Sequence, residues 1–277
     1  MHQRSHKQIP STQLLLKLNL NQAYTGKNMD NSASTALKKA TWKDYLELTK
    51  PRVVFLMVIT SIVGMCLASP GAIDPWVFVF GNLGIALAAS AAAVINQIVD
   101  QKIDAIMDRT KSRPLIKGNV TSGHAIFFSI IISTISTYIL YEYVNTITTI
   151  LTLFSIIVYS IIYSVYLKNL TSQNIVIGGA AGAFPPVIGW VCSTADISLF
   201  PVLLFCIIFF WTPPHFWALA LYKDVEYSKA NVPMLPVVKG KRSTKAQIFI
   251  YSILLSIIAF LPYTFNFSGL FYLIASL

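Results

Sequence analysis

Seven long apolar segments run along this chain, and polar connections of different lengths separate them. The segments are 53–69, 76–95, 124–143, 147–167, 175–192, 199–221 and 246–264, and a further apolar run begins near residue 269. A helix needs about 20 apolar residues to cross about 30 Å of hydrocarbon, and these segments are of that length. They lack the ten-residue alternation of a membrane β-barrel. The pattern therefore predicts an all-α, polytopic transmembrane helix bundle.

The composition agrees with this fold class, since 55% of the 277 residues are hydrophobic, 12% are charged and the mean hydropathy is +0.63. Cys66, Cys192 and Cys206 lie in or beside apolar segments, without CxxC spacing. We predict that they are small buried apolar residues rather than disulfide partners or zinc ligands.

The two ends of the chain differ from the rest. Residues 1–45 are polar and basic and are predicted to be a disordered tail, whereas residues 46–277 are predicted to form the transmembrane domain. Met29 is a second plausible start, and an organellar transit peptide is the less favoured interpretation of the tail. The last apolar run is too short to span a bilayer, so we expect a truncated C-terminus.

Basic residues are confined to one set of connections. The 21 Lys and Arg residues outnumber the 11 Asp and Glu residues and give a net charge of +10. Nine of them precede residue 53, five lie in 96–123, one is Lys168 and six lie in 222–245. The positive-inside rule then places the N-terminus and both large loops in the cytoplasm, or in the matrix of a mitochondrion. This placement predicts membrane lipid as the surroundings and no nucleic-acid partner.

A ladder of polar residues follows the second apolar segment. Asn96, Asp100, Asp104 and Asp108 recur at intervals of four. On a continuous helix each is offset by about 40° from the last, so that all four share one face over about 18 Å. Mg²⁺ is commonly held by one or two carboxylates together with substrate phosphates. The spacing therefore predicts a metal site.

Cations come directly after the ladder, at Arg109, Lys111 and Arg113. Guanidinium groups bind phosphate in a bidentate manner. Carboxylates and cations in one loop favour a diphosphate that Mg²⁺ bridges. The alternative is a solvated helix end with Asp–Arg and Asp–Lys pairs.

The second large loop also combines carboxylates with a cation, at Lys223, Asp224, Glu226 and Tyr227. Asp224 and Tyr227 are three residues apart and could share a helix face. The alternative is a solvated loop surface.

Two further strings contain prolines. In "WTPPHFW", Pro213 and Pro214 predict a helix break beside His215. His215 either stabilises that break through a hydrogen bond or faces a flat aromatic substrate. The string "IGGAAGAFPPVIGW" is rich in small residues, and we favour close helix packing there over room for a ligand.

These residues resemble a known family. The pattern N-x-x-x-D-x-x-x-D at Asn96, Asp100 and Asp104, followed by "DRTKSRPL", resembles the first aspartate-rich motif of the UbiA-type intramembrane prenyltransferases. The strings "LTKPRV" at 48–53, "AGAFPPVIGW" at 181–190 and "FFWTPPHFWALALYKDVEYSKANVPMLPVVKG" at 209–240 are similar to those of the members that farnesylate haem B. The resemblance covers the chain from about Leu46 to its end.

The resemblance implies a bundle of nine transmembrane helices around a central cavity, capped by two aspartate-rich loops. It implies farnesyl diphosphate and haem B (protohaem IX) as substrates, haem O as product and Mg²⁺ as the divalent cation. The implied metal ligands are Asn96, Asp100 and Asp104, and Asp108 is added because it continues the same ladder. The residues expected to take part in catalysis are Asp100, Asp104, Asp224 and Tyr227. Those expected to bind the substrates are Lys102, Arg109, Arg113, Lys223, His215 and Glu226.

Other functions stay open at this point. The acceptor could be another aromatic or tetrapyrrole, such as 4-hydroxybenzoate or a chlorophyll precursor. A transporter is less favoured because transporters place ionisable residues near the midplane. A non-catalytic membrane assembly factor would need no carboxylate ladder. We expect the bacterial inner membrane, with the mitochondrial inner membrane as the alternative. The expected partners are haem A synthase or terminal oxidase assembly.

Overall fold

The computed structural model describes residues 40–69, 71–230 and 232–276, so that residues 1–39 of the predicted tail lie outside the described part. In chain order the helices are α1 (Trp42–Leu48), α2 (Pro51–Ala68), α3 (Pro75–Val99), α4 (Gln101–Asp104), α5 (Ser122–Tyr143), α6 (Thr146–Ile157), α7 (Asn174–Thr194), α8 (Leu199–Tyr222), α9 (Asp224–Lys229), α10 (Leu235–Thr264) and α11 (Leu270–Ser276). We expected the transmembrane domain to start at residue 46. Helix α1 begins before that residue, at Trp42.

Seven of these helices are long and apolar enough to cross a membrane, which confirms the predicted spans. They are α2, α3, α5, α6 with its continuation to Tyr166, α7, α8 and α10. The most extensive pairings are α3 with α5, α2 with α7, and α8 with both α7 and α10. The chain is an all-α bundle of membrane-spanning helices.

Helix α1 is tied to the bundle at both ends. Its N-terminus carries a capping box in which Thr41 N–H donates to Asp44 Oδ2 over 2.8 Å, and Asn119 Nδ2 donates to Asp44 Oδ1 over 2.8 Å. The Thr41 hydroxyl also donates to Asp44 Oδ2, over 2.6 Å. This hydrogen bond above all, together with the other two, lowers the pKa of Asp44 to about 2. At the other end, Gln97 Nε2 of α3 donates to the carbonyl of Leu48 over 2.9 Å. These contacts fix the position of α1, so that its last residue, Leu48, lies beside the end of α3.

Small residues bring α2 and α7 into direct backbone contact. A Cβ on Gly189 would lie 2.1 Å from the carbonyl oxygen of Ser61, and one on Gly64 would lie 2.1 Å from that of Pro186. A Cβ on Gly178 would lie 2.7 Å from the ring of Tyr163. For the string "IGGAAGAFPPVIGW", the close-packing interpretation is therefore confirmed at Gly178 and Gly189. Small residues permit such contact between membrane helices.

The predicted helix break at Pro213 and Pro214 is wrong, because α8 runs unbroken from Leu199 to Tyr222. Proline removes a backbone donor and crowds the preceding turn. Thr212 Oγ1 donates to the carbonyl of Ile208 over 2.7 Å, and packing against α7 and α10 keeps the helix continuous.

The cysteines are free, as expected, but the expected burial holds only for Cys192. Cys206 is partly buried, and Cys66 lies exposed on the outer surface of α2. An apolar segment predicts a spanning helix but not which of its faces points outward, which explains the error.

Helix α6 changes its geometry before it ends. It continues as a π-helix over Val158–Tyr166 and then as one 3₁₀ turn over Leu167–Asn169. The inward-facing hydroxyl residues Ser160 and Ser164 of this π-helix are buried. π-Helical turns often occur at functional sites.

Candidate active site

The polar ladder does not lie on one continuous helix, so that part of the prediction is wrong. Helix α3 ends at Val99, Asp100 lies between α3 and α4, and α4 ends at Asp104. The chain then runs through turns to Val120. The Thr110 hydroxyl donates to the Asp104 carbonyl over 3.0 Å and so stabilises the first of these turns. Asn96 lies on α3, Asp100 lies at the junction of α3 and α4, and Asp104 lies at the end of α4. Asp108 lies in the turns that follow.

Each of these three buried side chains contacts a cation. Lys50 Nζ donates to Asn96 Oδ1 over 2.6 Å, and Lys168 Nζ lies 2.6 Å from Asp100 Oδ2. Arg113 Nη1 forms an ion pair with Asp104 Oδ2. Asn96, Asp100 and Asp104 are 5%, 5% and 4% exposed. The three contacts bring together the end of α3, the start of α2, the first large loop and the end of the α6 segment.

Lys50 and Lys168 were missed by the sequence analysis. Both carried a signal: Lys50 lies within the string "LTKPRV", and Lys168 is a single basic residue between two apolar segments. Lys50 also has φ of 52°, a left-handed conformation that is uncommon for a residue with a Cβ and occurs often at functional sites.

The cations are close enough to affect one another. Burial lowers the pKa of Lys50 to about 8, and the positive charge of Arg113 adds to this effect while Asp100 opposes it. Three cations thus face two carboxylates, which leaves the site with an excess of positive charge. Such a site suits an anionic ligand.

Asp108 lies outside this arrangement. Its side chain is 81% exposed, and Oδ1 lies 2.7 Å from Lys111 Nζ. The hydrogen bond and charge of Lys111 lower the pKa of Asp108. Lys102 and Arg109 are also exposed.

The second large loop forms two ion pairs of its own. Lys241 Nζ lies 2.8 Å from Asp224 Oδ2, and Lys223 Nζ lies 3.6 Å from Glu226 Oε2. The hydrogen bond from Lys241 lowers the pKa of Asp224. Burial raises the pKa of Tyr227, and the charge of Arg109 in the first loop opposes that rise.

An apolar cluster joins the two loops. Met107 of the first loop and Trp217 of α8 are buried members of this cluster, and Ile103 and Tyr227 pack against it. The other buried members are Ile175, Ala230, Val232, Met234 and Leu235. The two aspartate-bearing loops therefore lie at the same end of the bundle.

His215 lies on the exposed surface of α8. Its ring stacks on that of Trp211 with centroids 4.4 Å apart, and Phe216 packs edge-on against it. In the described part of the chain its side chain forms no hydrogen bond, so the role of stabilising a helix break does not apply. Its contact with a flat substrate stays a prediction.

The first loop fits a divalent cation that binds together with a diphosphate. The available donors are one amide oxygen and two carboxylates, which are hard oxygen ligands. No group of three or more His, Cys, Asp or Glu that could hold a metal ion occurs in the described residues. Phosphate oxygens would complete the coordination.

Solved structures share the fold at low sequence identity. A digeranylgeranylglyceryl phosphate synthase is 22% identical with a TM-score of 0.72, and the match covers 84% of this chain and 81% of that one. A UbiA homologue from Archaeoglobus fulgidus bound to DMAPP and Mg²⁺ is 19% identical with a TM-score of 0.67, covering 84% of this chain and 82% of that one.

Curated relatives are much more similar in sequence. Protoheme IX farnesyltransferase 1 of Pseudomonas fluorescens (strain Pf0-1) is 51% identical over 240 residues, which cover 86% of this chain and 80% of the relative. Protoheme IX farnesyltransferase of Marinobacter nauticus is 49% identical over 237 residues, which cover 86% and 78%. The UbiA prenyltransferase family matches residues 57–277. With the bundle and its charged end, these matches show that the chain belongs to the UbiA prenyltransferase family and, within it, to the protoheme IX farnesyltransferases.

Proposed function

We propose that this chain transfers the farnesyl group of farnesyl diphosphate to the vinyl group of haem B and so makes haem O. The observation that carries the proposal is a set of two buried carboxylates and one buried amide, in contact with three half-buried cations, at the end of an apolar bundle. A prenyl diphosphate has the same division, with a charged head and an apolar chain. The activity named for the relatives supplies the farnesyl group and the haem acceptor.

Asn96, Asp100 and Asp104 would hold Mg²⁺, which acts as a Lewis acid on the diphosphate. The Archaeoglobus homologue with Mg²⁺ and DMAPP supports a divalent cation in this fold. Lys168 and Arg113, which pair with Asp100 and Asp104, are the cations that would donate to phosphate oxygens. In this way the ion pairs of the free protein keep the cations in position for the substrate.

The reaction needs charge stabilisation at the leaving group. The C–O bond of farnesyl diphosphate breaks, and its electron pair leaves with the diphosphate. The vinyl π electrons of haem B form the new C–C bond, and water adds to the resulting cation and loses a proton. Lys50, Lys168 and Arg113 stabilise the negative charge of the diphosphate as it leaves.

The charged end of the bundle is proposed to face the cytoplasm. Both aspartate-bearing loops lie at this end, and the basic residues are concentrated in the same connections. The named relatives are bacterial, which supports the bacterial inner membrane.

The proposal is tested with membranes that contain the chain, incubated with farnesyl diphosphate, Mg²⁺ and haem B. We expect haem O by chromatography with mass detection, and its loss on addition of a chelator. Asp100→Asn should lower kcat/KM by about hundredfold or more, because it removes a proposed metal ligand while keeping the shape of the side chain. The matched control is Asp108→Asn, which should retain activity because Asp108 is exposed and paired only with Lys111.

Three results would contradict parts of this proposal. Prenylation of 4-hydroxybenzoate but not of haem B would change the acceptor. Equal losses in the two variants would remove the distinction between the buried and exposed aspartates. Absence of any prenyl product, with the protein folded in the membrane, would leave a transporter or an assembly factor.

A further inference from the structure

The side-chain amide of Asn96 has three polar contacts. Its oxygen accepts a hydrogen bond from Lys50 Nζ over 2.6 Å. Its nitrogen donates to Asp100 Oδ2 over 3.0 Å and to Ser164 Oγ over 3.2 Å. An amide that rotates by 180° exchanges its oxygen and its nitrogen, and only the oxygen binds a hard cation. The direction of this amide therefore decides whether Asn96 is able to serve as a ligand.

Two of these contacts involve groups that the proposed substrates would engage. Lys50 occupies the amide oxygen itself, and Asp100 is a proposed ligand. The contact with Ser164 differs, because it involves only the amide nitrogen of Asn96. It leaves the amide oxygen of Asn96 and the carboxylate of Asp100 free to bind the cation. It is the contact that is able to persist while Mg²⁺ and diphosphate are bound.

Ser164 acts as an acceptor in this contact because its own hydrogen is already used. Its hydroxyl donates to the carbonyl of Tyr159 over 2.8 Å, five residues earlier in the π-helix. A lone pair of Ser164 Oγ therefore faces Asn96 Nδ2. Ser164 is 0% exposed, so water does not compete for this hydrogen bond.

A second residue of the same segment contacts the same motif. Lys168, just beyond the end of the π-helix, is the ion-pair partner of Asp100, and the backbone carbonyl of Lys168 accepts a hydrogen bond from the buried Asn174 over 3.0 Å. Positions 164 and 168 thus contact positions 96 and 100, with the same spacing of four in both elements.

We propose that Ser164 is a positioning residue, which fixes the amide of Asn96 with its oxygen turned toward the metal–diphosphate site. This inference rests on the proposed function, since that function supplies the metal at Asn96. Outer contacts that orient metal ligands typically contribute about 10–100-fold in metal affinity. Ser164→Ala should weaken binding of the metal–diphosphate complex by that factor.

The experiment measures binding directly, by calorimetric titration of the purified protein with Mn²⁺ and a non-reactive farnesyl thiodiphosphate. The matched control is Ser160→Ala in the same π-helix. Ser160 is 1% exposed, and its hydroxyl has no hydrogen-bond partner in the described residues. We expect the dissociation constant to rise about 10–100-fold in Ser164→Ala and to stay within about twofold of wild type in Ser160→Ala. Activity should show a raised KM for Mg²⁺ with kcat at saturating Mg²⁺ nearly unchanged.

A double-mutant cycle separates orientation from general packing. In Asn96→Asp both ends of the side chain are oxygens, so its direction no longer matters. Ser164→Ala should then cost little further affinity in the Asn96→Asp background. Ser164→Cys, which is nearly isosteric and keeps a weak acceptor, should show an intermediate loss and provides a folded variant if Ser164→Ala does not fold.

The outcomes are distinct. Wild-type affinity in Ser164→Ala, or equal losses in Ser164→Ala and Ser160→Ala, would overturn the positioning role and leave the proposed function intact. Absence of binding by the folded wild-type protein would overturn the proposed metal site and this inference with it.

Discussion

Buried charges in the site are held by partners from other parts of the chain. The side chain of Asp100 is 7% exposed and that of Lys168 is 17% exposed. Removal of one partner of a buried ion pair leaves an uncompensated charge and costs about 3–5 kcal/mol, whereas replacement of both is often neutral. The pair between Lys168 and Asp100 should therefore contribute to stability as well as to function.

Lys168→Met should lower the free energy of unfolding by about 3 kcal/mol, because it leaves the Asp100 carboxylate buried without its cation. Unfolding in mixed micelles measures this. Asp100→Asn combined with Lys168→Met should recover most of the stability but no activity. The control is Lys111→Met, which should cause no measurable change because its pair with Asp108 is exposed. A double variant as unstable as Lys168→Met would contradict the explanation.

At the scale of secondary-structure elements, the contact between α2 and α7 depends on small residues. Gly189 and Gly64 each lie against a backbone carbonyl of the facing helix. Van der Waals packing is the main source of association between membrane helices. Helix α2 also begins directly after Lys50, so its distance from α7 affects where that cation lies.

Gly189→Ala should destabilise the protein by about 1–3 kcal/mol, because its Cβ would lie 2.1 Å from the Ser61 oxygen and force the helices apart. The thermal midpoint in detergent measures the effect. Gly182→Ala in the same helix is the matched control, since no atom lies within 4 Å of its Cβ position. It should be neutral, and a fall as large as that of Gly189→Ala would show that helix packing is not the cause.

The loops show the same dependence on neighbouring elements. The side chain of Trp217 is fully buried in the cluster that joins them and packs edge-on against Tyr251 of α10. Residues far apart in sequence, Met107 and Tyr227, meet through this cluster. The two motifs of the site are thus joined by an apolar cluster that includes residues outside both motifs, such as Trp217.

At the scale of the whole molecule, opposite ends of the bundle differ in charge. The first large loop includes the exposed Ser112, and the connection between α7 and α8 includes the exposed Asp196. The proposed orientation places Ser112 in the cytoplasm and Asp196 outside.

Single cysteines test this orientation in a variant whose three native cysteines are replaced by alanine. A membrane-impermeant maleimide should label Asp196→Cys in intact spheroplasts and label Ser112→Cys only after lysis. The reversed labelling pattern would mean that the charged end faces outward. Labelling of both positions in intact spheroplasts would contradict opposite placement of the two connections.

Much of the fold was predictable from local sequence. Long apolar segments specify membrane helices because every backbone polar group must be satisfied within the bilayer, and all seven predicted spans are confirmed. Family strings around Asn96 and His215 indicated the family correctly. The error at Pro213 and Pro214 arose because proline weakens a helix locally, whereas packing against α7 and α10 keeps it continuous.

The chain by itself therefore determined the fold class, the spans, the segregation of charge and the residues of the first motif, since each follows from residue type and spacing along one segment. Only the tertiary structure decided which members of the ladder are buried and which cations meet them. Asp108 is exposed because helix α3 ends at Val99 and the chain turns away after Asp104. Lys50, Ser164 and Lys168 reach Asn96 and Asp100 from other elements. Spacing along one segment of the sequence carries no information about such contacts, because they depend on how separate helices pack.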